Sequence, residues 1–388
     1  MSDSHRFFAT CARNMEPLLG VELRAIGLSE VKETRLGVGF SGPVSDGYRA
    51  CLWSRIASRV LLPLHTFPCG SPEELYDGVR RVAWEDHLGP ENTLAVDFST
   101  SRSAVDHSRF GAMKVKDAIV DHMRDAFGSR PSVDRSWPDL RVNVYLYKDQ
   151  ATVSIDLSGE ALHRRGYRVQ GGQAPLKENL AAAILASARW PAMAAEGRQL
   201  VDLMCGTGTL LIEGVMMATD TAPGLFRQQF GFETWRPHDI DAWDELLDEA
   251  EARRQAGLAR QLAGDIRIHG YDSNRRMVDV SEENLGVTGL EGCVTVAERA
   301  LRDAVPHPGK TGLVVINPPY GERMGSEGGI EALYTSLGAQ LKSRFSGWRA
   351  AVFTGNAELA YHMGLRPDRK NTLYNGPLEC KLLHYGID

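Results

Sequence analysis

Five short apolar segments in the second half of the chain constrain its fold more than any other feature. They lie near residues 200–204, 267–272, 293–297, 313–317 and 349–354, and helix-like sequence separates them. Apolar strands that alternate with helices are typical of a parallel sheet with helices packed on both faces. The sequence therefore predicts a doubly wound α/β domain. Asn375-Gly376, a dipeptide typical of tight hairpin turns, predicts a hairpin at its end.

The fourth segment is followed at once by Asn317-Pro318-Pro319-Tyr320. In open α/β sheets, ligands bind beyond the carboxyl ends of the strands. Proline fixes the backbone and has no N–H, so its carbonyl is free to face a ligand. Asn317 offers an acceptor oxygen, and Tyr320 offers a flat ring for stacking. This set fits a planar, amide-like amine, although a strand stopped by proline before a plain turn is the alternative.

The tetrapeptide resembles the Asn-Pro-Pro-Tyr motif of methyltransferases that modify exocyclic amines of nucleobases. The resemblance implies that the Asn317 side-chain oxygen and the Pro318 carbonyl accept the two amine hydrogens, while Tyr320 stacks on the base. The base has to be flipped out of its stack to reach such a pocket.

A second motif runs from Asp202 to Gly208, where a strand turns through two glycines into a helix. Glycines let the backbone approach a ligand, and a helix N-terminus offers free N–H groups. No Gly-Lys-Ser/Thr follows, which excludes a phosphate loop. The string resembles the S-adenosylmethionine loop of class I methyltransferases, with Met204 where many members carry glycine. The resemblance implies a cofactor site at Asp202, Cys205, Gly206, Thr207 and Gly208, with Asp202 near the amino group of the methionine part.

Two further acids follow the next two strands. Asp272 ends the second strand, where a carboxylate can accept hydrogen bonds from both ribose hydroxyls; a helix cap is the alternative. Asp303 follows the third strand and could accept from the adenine amine, with Arg302 and Glu298 as close rivals.

The first 168 residues read as two small α+β units, divided near residue 65. The first contains a hairpin at 31–40 and a helix predicted at 47–60. The second contains a strand at 94–98, an amphipathic helix at 110–127 and a hairpin around 148–150. It ends in a basic stretch whose residues could contact phosphates and stack on a base, or could form a solvated linker: Arg164, Arg165, Tyr167 and Arg168.

Residues 94–168 resemble a THUMP domain, an RNA-binding module of RNA-modifying enzymes. With the strings at 174–181, 205–213, 317–323 and 375–380, the whole chain resembles the RlmL-type guanine-N2 methyltransferases of 23S ribosomal RNA. The resemblance implies a ferredoxin-like α+β domain at 1–65, a THUMP domain at 66–168 and a class I methyltransferase domain at 169–388. The expected partner is large-subunit ribosomal RNA or an assembly intermediate, with Arg323 as a further RNA contact. Many bacterial members carry a second methyltransferase domain, so its activity is expected to be absent here.

Three other functions stay open at this point: a tRNA guanine-N2 methyltransferase, a DNA amino methyltransferase, and an RNA-binding assembly factor without catalysis.

Composition limits the expected partners, metal sites and cellular location of the protein. The net charge of −6 argues against a globally basic nucleic-acid binder, although residues 101–170 carry twelve Lys/Arg against nine Asp/Glu. Six scattered cysteines and eleven histidines show no zinc-like or disulfide spacing. No signal core or membrane-length apolar run is present, so we expect a cytoplasmic protein without a metal.

The interval from 219 to 265 is longer than a simple strand-to-strand connection requires. It contains Phe232, Trp235 and Trp243 and then a charged helix. Aromatic residues usually form cores, so we expect a helix pair on the surface, packed by these rings. The alternative is that the insertion forms one wall of the substrate entrance.

Overall fold

The computed structural model describes residues 4–169, 176–264, 267–319 and 327–388, without the side chains of 327 and 328. The predicted site residues Tyr320 and Arg323 lie outside these ranges. Within them the chain builds two sheets, one in each half.

The first half forms one continuous sheet of eight strands rather than two separate units. Its order is β2-β3-β1-β4-β8-β7-β5-β6. The strands are β1 (His5–Thr10), β2 (Ser29–Thr34), β3 (Gly37–Gly42), β4 (Arg59–Pro68), β5 (Thr93–Ser101), β6 (Ser132–Val133), β7 (Leu140–Tyr147) and β8 (Gln150–Asp156). The long antiparallel pair of β4 and β8 joins the two predicted units.

The helices of this half are α1 (Glu16–Ala25), α2 (Val44–Trp53), α3 (Pro72–Arg80) and α4 (Ser108–Phe127). The hairpins and the amphipathic helix are confirmed. The helix predicted at 47–60 is wrong in its second half: α2 ends at Trp53, because residues 59–68 form β4. Glu22 of α1 holds this end, accepting from Ser54 Oγ at 2.6 Å and from the Arg55 backbone N–H at 2.9 Å.

The second half is the predicted α/β domain. Its sheet order is β11-β10-β9-β12-β13-β15-β14. Its strands are β9 (Leu200–Asp202), β10 (Ile268–Asp272), β11 (Val294–Glu298), β12 (Leu313–Ile316), β13 (Arg349–Thr354), β14 (Arg369–Asn375) and β15 (Leu378–Gly386). The first five are parallel, and the β14–β15 hairpin adds antiparallel to β13.

Helices cover both faces of this sheet, which confirms the doubly wound arrangement. They are α5 (Glu178–Ser187), α6 (Trp190–Ala195), α7 (Thr209–Ala218), α8 (Ile240–Ala263), α9 (Arg275–Thr288) and α10 (Glu327–Arg344). Strand β12 shows the reason, because its side chains alternate between two apolar layers: Leu313 and Val315 face one, and Val314 and Ile316 the other.

Register brings the predicted site residues to one edge of the sheet. Asp202 of β9 lies opposite Gly270 on one side and Val315 on the other. Asp272 lies two residues beyond Gly270, and Asn317 lies two residues beyond Val315, so both lie near the same end of the sheet as Asp202. The edge formed by the carboxyl ends of β10, β9 and β12 is where a ligand of this fold class binds.

The insertion differs from its prediction. In the described residues it contains a single α-helix, α8, rather than a pair, and this helix docks on α2 of the first half. The Tyr48 ring of α2 stacks on Phe232 at 4.1 Å between centroids, and Trp243 packs edge-on against Phe232 at 4.9 Å. Arg49 and Glu249 form an ion pair at 2.8 Å across the same contact. The aromatic residues thus form core, as expected, but at an interface between the two halves.

None of the helices in the described ranges has the length and apolar content that a membrane crossing requires.

Candidate active site

The turn between β9 and α7 requires glycine. Gly206 and Gly208 have φ of +53° and +79°, in the left-handed region that residues with a Cβ adopt at a cost. A Cβ on Gly208 would lie 2.2 Å from Ser281 Oγ of α9. No described atom lies within 4 Å of the corresponding point on Gly206, so the turn leaves open space there. This geometry fits a ligand that passes close to the backbone.

Asp272 anchors that turn. One carboxylate oxygen accepts from the Gly206 backbone N–H at 2.9 Å, and the other accepts from the Asn274 N–H at 2.9 Å. The N-cap of α9 is Asn274, whose side chain accepts from the Arg276 N–H at 3.0 Å. Asp272 is therefore not the cap, and its half-exposed carboxylate keeps further lone pairs for hydroxyl donors.

Asp202 is buried at the end of β9 and accepts from the Met204 backbone N–H at 3.0 Å. Burial, with a smaller contribution from the charge of Asp272, raises the pKa of Asp202 to about 8. A cationic group beside a buried carboxyl stabilises its charged form, because the electrostatic attraction offsets the hydration lost on burial. The site therefore fits a ligand that carries positive charge.

Asn317 supplies an acceptor without a partner. Its Oδ1 atom is buried, and no described residue donates a hydrogen bond to it. A buried polar atom left unpaired costs about 1–3 kcal/mol, so a ligand that brings a donor to Oδ1 would remove that cost. Pro318 behind it is buried and lacks an N–H. Tyr320, the predicted stacking ring, lies outside the described residues.

Cys205 and Thr207 line the turn. The Cys205 thiol is buried, and burial together with the charges of Asp202 and Asp272 holds its pKa well above its usual value, so it stays protonated. Its backbone N–H donates to the Tyr271 carbonyl at 2.9 Å. The Thr207 carbonyl accepts from Asn284 Nδ2 at 3.0 Å. Across the described ranges, no three His, Cys, Asp or Glu side chains converge as metal ligands would.

Arg168 corrects the sequence interpretation. Instead of facing outward toward RNA, it donates to Thr207 Oγ1 at 3.2 Å and to Thr209 Oγ1 at 3.1 Å. Its Nε donates to Glu178 at 2.9 Å, and its Nη2 to the Leu176 carbonyl at 3.2 Å. Arg168 therefore braces the glycine turn, and it is committed to four protein acceptors rather than to phosphates.

Arg165 and Tyr167 are a second correction, because both are buried. Arg165 is 2% exposed and Tyr167 is 1% exposed, which excludes contact of either with RNA in this conformation. Arg165 Nε and the Tyr167 hydroxyl both reach Glu213 Oε1 of α7, at 3.3 and 3.4 Å. The segment of residues 164–168, called the linker below, thus inserts Arg165 and Tyr167 into the protein interior beside α7.

Arg164 and Asp303 lie on the surface. The Arg164 side chain is exposed and forms an ion pair with Glu160 at 2.8 Å, so its RNA contact stays a prediction. Asp303 is exposed beyond β11, with Arg302 at 3.5 Å, and its adenine contact likewise stays a prediction. Arg323 lies outside the described residues.

Sequence reasoning missed the residues that support the turn. Ser281 and Asn284 of α9 and Glu178 of α5 hold it through packing or hydrogen bonds. Glu178 lies in one of the matched strings, which was a usable signal. Ser281 and Asn284 carry no recognisable sequence signal, because they occupy ordinary positions of a helix. Their contact with the turn depends on how α9 packs in the folded protein.

Three family models match the chain. Residues 165–384 match the model described as an RMKL-like methyltransferase domain, residues 69–156 match the THUMP domain, and residues 6–61 match the RlmL ferredoxin-like domain. The two N-terminal matches confirm that a ferredoxin-like and THUMP region precedes the α/β domain.

Among similar proteins, the ribosomal RNA large subunit methyltransferase K/L of Methylococcus capsulatus (strain ATCC 33009 / NCIMB 11132 / Bath) is 51% identical over 381 residues. That alignment covers 98% of this chain and 51% of the relative, and the chain spans about half the length of the curated relatives it matches.

Two crystal structures resemble the whole chain. One is SMU.472, a putative methyltransferase complexed with SAH (S-adenosylhomocysteine); it is 30% identical, with a TM-score of 0.86 over 100% of this chain and 99% of its own. The other is a predicted N6-adenine-specific DNA methylase from Listeria monocytogenes str. 4b F2365. It is 29% identical, with a TM-score of 0.87 over 100% of this chain and 97% of its own.

Proposed function

The chain belongs to the RMKL-like methyltransferase family, and on this basis we propose that it uses S-adenosylmethionine to methylate the exocyclic N2 amine of a guanine in large-subunit ribosomal RNA. The observation that carries the proposal is the buried Asn317 Oδ1, an acceptor that awaits a donor at the end of β12.

The residues at the sheet edge fit this cofactor. The open backbone at Gly206 leaves room for a ligand beside the turn, and Asp272 has free lone pairs for ribose hydroxyls. Asp202 gains from a positive amino group next to its carboxyl. When bound, S-adenosylmethionine supplies an electrophilic methyl group on a positively charged sulphur. A structure similar to this one is a complex with the demethylated form of that cofactor.

Asn317 activates the amine by accepting one of its hydrogens. The nitrogen lone pair of an exocyclic amine is conjugated with the base, which makes it a poor nucleophile. A hydrogen bond to Oδ1 favours a pyramidal nitrogen whose lone pair is free, and it stabilises the positive charge that develops as the nitrogen forms its new bond. The Pro318 carbonyl is the proposed second acceptor. Because Oδ1 is already removed from solvent, little solvent reorganisation is needed around it in the transition state.

Three observations support RNA as the substrate. Residues 69–156 match the THUMP domain, residues 6–61 match the RlmL ferredoxin-like domain, and the curated relatives carry the name ribosomal RNA large subunit methyltransferase K/L. Arg164 at the exit of the THUMP domain keeps its proposed phosphate contact, since its side chain is exposed.

A second candidate is methylation of adenine N6 in DNA. The similarity to the Listeria monocytogenes protein, a predicted N6-adenine-specific DNA methylase, favours it, and an acceptor at Asn317 would serve either amine. The THUMP domain favours RNA over this alternative.

The test compares acceptors. The purified chain is incubated with S-adenosylmethionine labelled in its methyl group and, separately, with unmodified large-subunit ribosomal RNA, total tRNA and duplex DNA. Digestion then identifies the methylated nucleoside. We expect N2-methylguanosine from ribosomal RNA alone. The same nucleoside from tRNA alone would change the substrate, N6-methyladenine from DNA would replace the proposal by the second candidate, and no transfer to any acceptor would refute catalysis.

Asn317→Ala tests the role of the side chain. We expect turnover to fall about 10²- to 10³-fold, the usual effect of removing one fixed hydrogen-bonding group from a transition state. Cofactor affinity, measured by calorimetry, should stay within about twofold, because the proposed partner of Oδ1 is the base. Asn317→Asp keeps an acceptor oxygen and is the matched control, which should retain more turnover than Asn317→Ala. Lost cofactor affinity with unchanged turnover of the loaded enzyme would contradict this role.

A further inference from the structure

The shared eight-stranded sheet has an open face that the proposed chemistry does not use. Inward side chains such as Ala9, Val144 and Val153 are buried beneath the helices, and the opposite side of the sheet lines a groove of about 590 Å³. The groove crosses the junction between the ferredoxin-like and THUMP parts. Its lining residues come from both: Phe7, Phe8, Thr10, Cys11, Arg35, Leu36, Leu61, Pro63, Thr66, Ser99, Asn143, Tyr145, Thr152 and Ser154.

Register shows that the lining side chains of β5, β7 and β8 share one face. Thr152 of β8 lies opposite Tyr145 of β7, and Ser99 of β5 flanks Tyr145 on its other side. Two residues further along β7, Tyr147 lies opposite Gln150 of β8. Side chains at positions i and i+2 of a strand point the same way, so both tyrosines stand on the open side.

The rings of Tyr145 and Tyr147 lie parallel to each other on this face. Their ring centroids are 6.1 Å apart, and their planes differ by only 6°. Tyr145 is 40% exposed, although a ring of this size is usually covered in a protein without a partner. Phe8 of β1 adds a third ring at the other end of the groove. An exposed ring such as that of Tyr145, with half-buried rings beside it on a rigid sheet, offers a surface on which planar bases stack.

Cations stand beside this surface. The Arg35 guanidinium lies 5.9 Å from the Tyr147 ring centroid, and Lys148 Nζ lies 5.4 Å from it. Both residues are exposed, and neither has an ion pair among the described residues. These two charges are available to phosphates.

The carboxylates on the face are already neutralised. Asp97 lies 3.3 Å from Arg141 and 3.9 Å from Arg59, and the buried Asp156 is paired with Arg59. The remaining lining is rich in hydroxyl and amide groups, including Thr66, whose hydroxyl is 3.1 Å from that of Thr152. Rings, spare cations and small polar groups together match single-stranded nucleic acid.

We propose that the open sheet face around Phe8, Tyr145 and Tyr147 binds an unpaired stretch of RNA, whose bases stack on the rings while Arg35 and Lys148 contact its phosphates. The proposal assumes an RNA substrate but not methyl transfer. It also replaces the RNA contacts predicted for Arg165, Tyr167 and Arg168, which the structure commits to internal partners.

The test measures binding without cofactor. The anisotropy of a fluorescein-labelled single-stranded RNA of mixed sequence is followed at fixed salt, and the same strand annealed to its complement is compared. Tyr145→Ala and Tyr147→Ala should each weaken single-strand binding about 5- to 150-fold, the loss expected from about 1–3 kcal/mol of stacking per base. Binding of the duplex should change less than about twofold, because its bases are already stacked.

Two controls separate stacking from general damage. Tyr145→Phe keeps the ring and should bind like the wild type. Phe127→Ala removes a ring of similar exposure, 43%, at the end of α4 on the helical side of the sheet, and should leave RNA affinity unchanged. Arg35→Gln should reduce the dependence of log affinity on log salt by about 0.7, the slope of one phosphate contact in a single strand.

Three outcomes would overturn the proposal. The first is single-strand affinity within about twofold of wild type for both alanine variants. The second is an equal loss for single strand and duplex. The third is a dimer in light scattering that Tyr145→Ala dissociates while RNA affinity is unchanged, which would assign the face to a second copy of the chain. Failure of methyl transfer would leave these binding results intact, so the two proposals fail separately.

Discussion

The buried ion pair between Arg165 and Glu213 offers the sharpest test of how the linker is held. Both side chains are almost inaccessible to solvent, at 2% and 0% exposure. Arg165 also donates to the Leu162 carbonyl at 2.7 Å and to the carbonyls of Ser54 and Arg55. We expect Arg165→Met, which keeps much of the volume, to lose these bonds and strand the Glu213 carboxylate.

The expected loss of stability depends on the surroundings of the Glu213 carboxylate once Arg165 is removed. Glu213 Oε2 already has no hydrogen-bond partner among the described residues, and burial raises the pKa of Glu213 against the opposing charges of Arg165 and Arg55. Removing one partner of a buried pair costs about 3–5 kcal/mol. A protein of ordinary stability has only about 5–15 kcal/mol in total, so the variant should be markedly less stable.

The pH dependence identifies the stranded carboxyl as the cause. Without Arg165 the folded-state pKa of Glu213 rises further above its unfolded value. A carboxyl with a raised folded pKa contributes stability that is complete below the unfolded pKa and is lost as pH rises. The gap between wild type and Arg165→Met should therefore widen once pH rises above the folded-state pKa of Glu213 in the wild type, and it is compared at pH 5 and pH 8.

The assay is urea unfolding at both pH values, with tryptophan fluorescence and circular dichroism required to coincide. The double variant Arg165→Met/Glu213→Gln removes the charge as well and should recover part of the loss, giving a coupling energy of about 0.5–3 kcal/mol in the cycle. A loss below about 1 kcal/mol that is the same at both pH values, or strictly additive variants, would refute the reasoning.

Two further predictions concern the turn. Arg168→Gln should weaken S-adenosylmethionine binding about 10- to 100-fold in calorimetry, because it removes charged hydrogen bonds that hold the turn, whereas the exposed Arg164→Gln should leave that affinity unchanged; equal effects would exclude a specific brace. Asp202→Asn should stabilise the protein increasingly from pH 6 to pH 8, by roughly 2 kcal/mol over that interval, since the Asp202 pKa of about 8 lies far above its unfolded value and the wild type loses stability as pH rises. Urea unfolding measures the difference, and a constant gap would show that Asp202 does not titrate there.

The sequence predicted the sheet of the α/β domain well because its signals are local. Four consecutive apolar residues before Asn317 indicate a strand buried on both faces, and the structure buries all four. The two glycines after β9 indicate a turn that other residues would strain, and both have positive φ. Such patterns depend on a few adjacent residues, so a single sequence is enough to locate them.

Predictions that depended on distant partners failed. Arg164, Arg165 and Arg168 are the same residue type within five positions, yet one is exposed, one is buried and one braces the turn. What separates them is the position of Glu213 and Glu178, which lie on helices of the next domain. The predicted C-terminal end of α2 was wrong for the same reason, because β4 is defined by its pairing with distant strands.

The corrected roles change how RNA binding and catalysis can be connected. Glu213 lies on α7, the helix that begins at the glycine turn, and Arg165 ties it to the Ser54 carbonyl in the ferredoxin-like part. Three residues further along the chain, Arg168 holds the turn itself. The linker is therefore a fixed joint, in which the sheet that carries the proposed RNA surface and the turn at the proposed cofactor site keep one relative orientation. Because RNA held on that surface must then present its target base at a set distance, loosening the joint through Arg165→Met should reduce methyl transfer to long RNA more than it reduces binding of a short single strand.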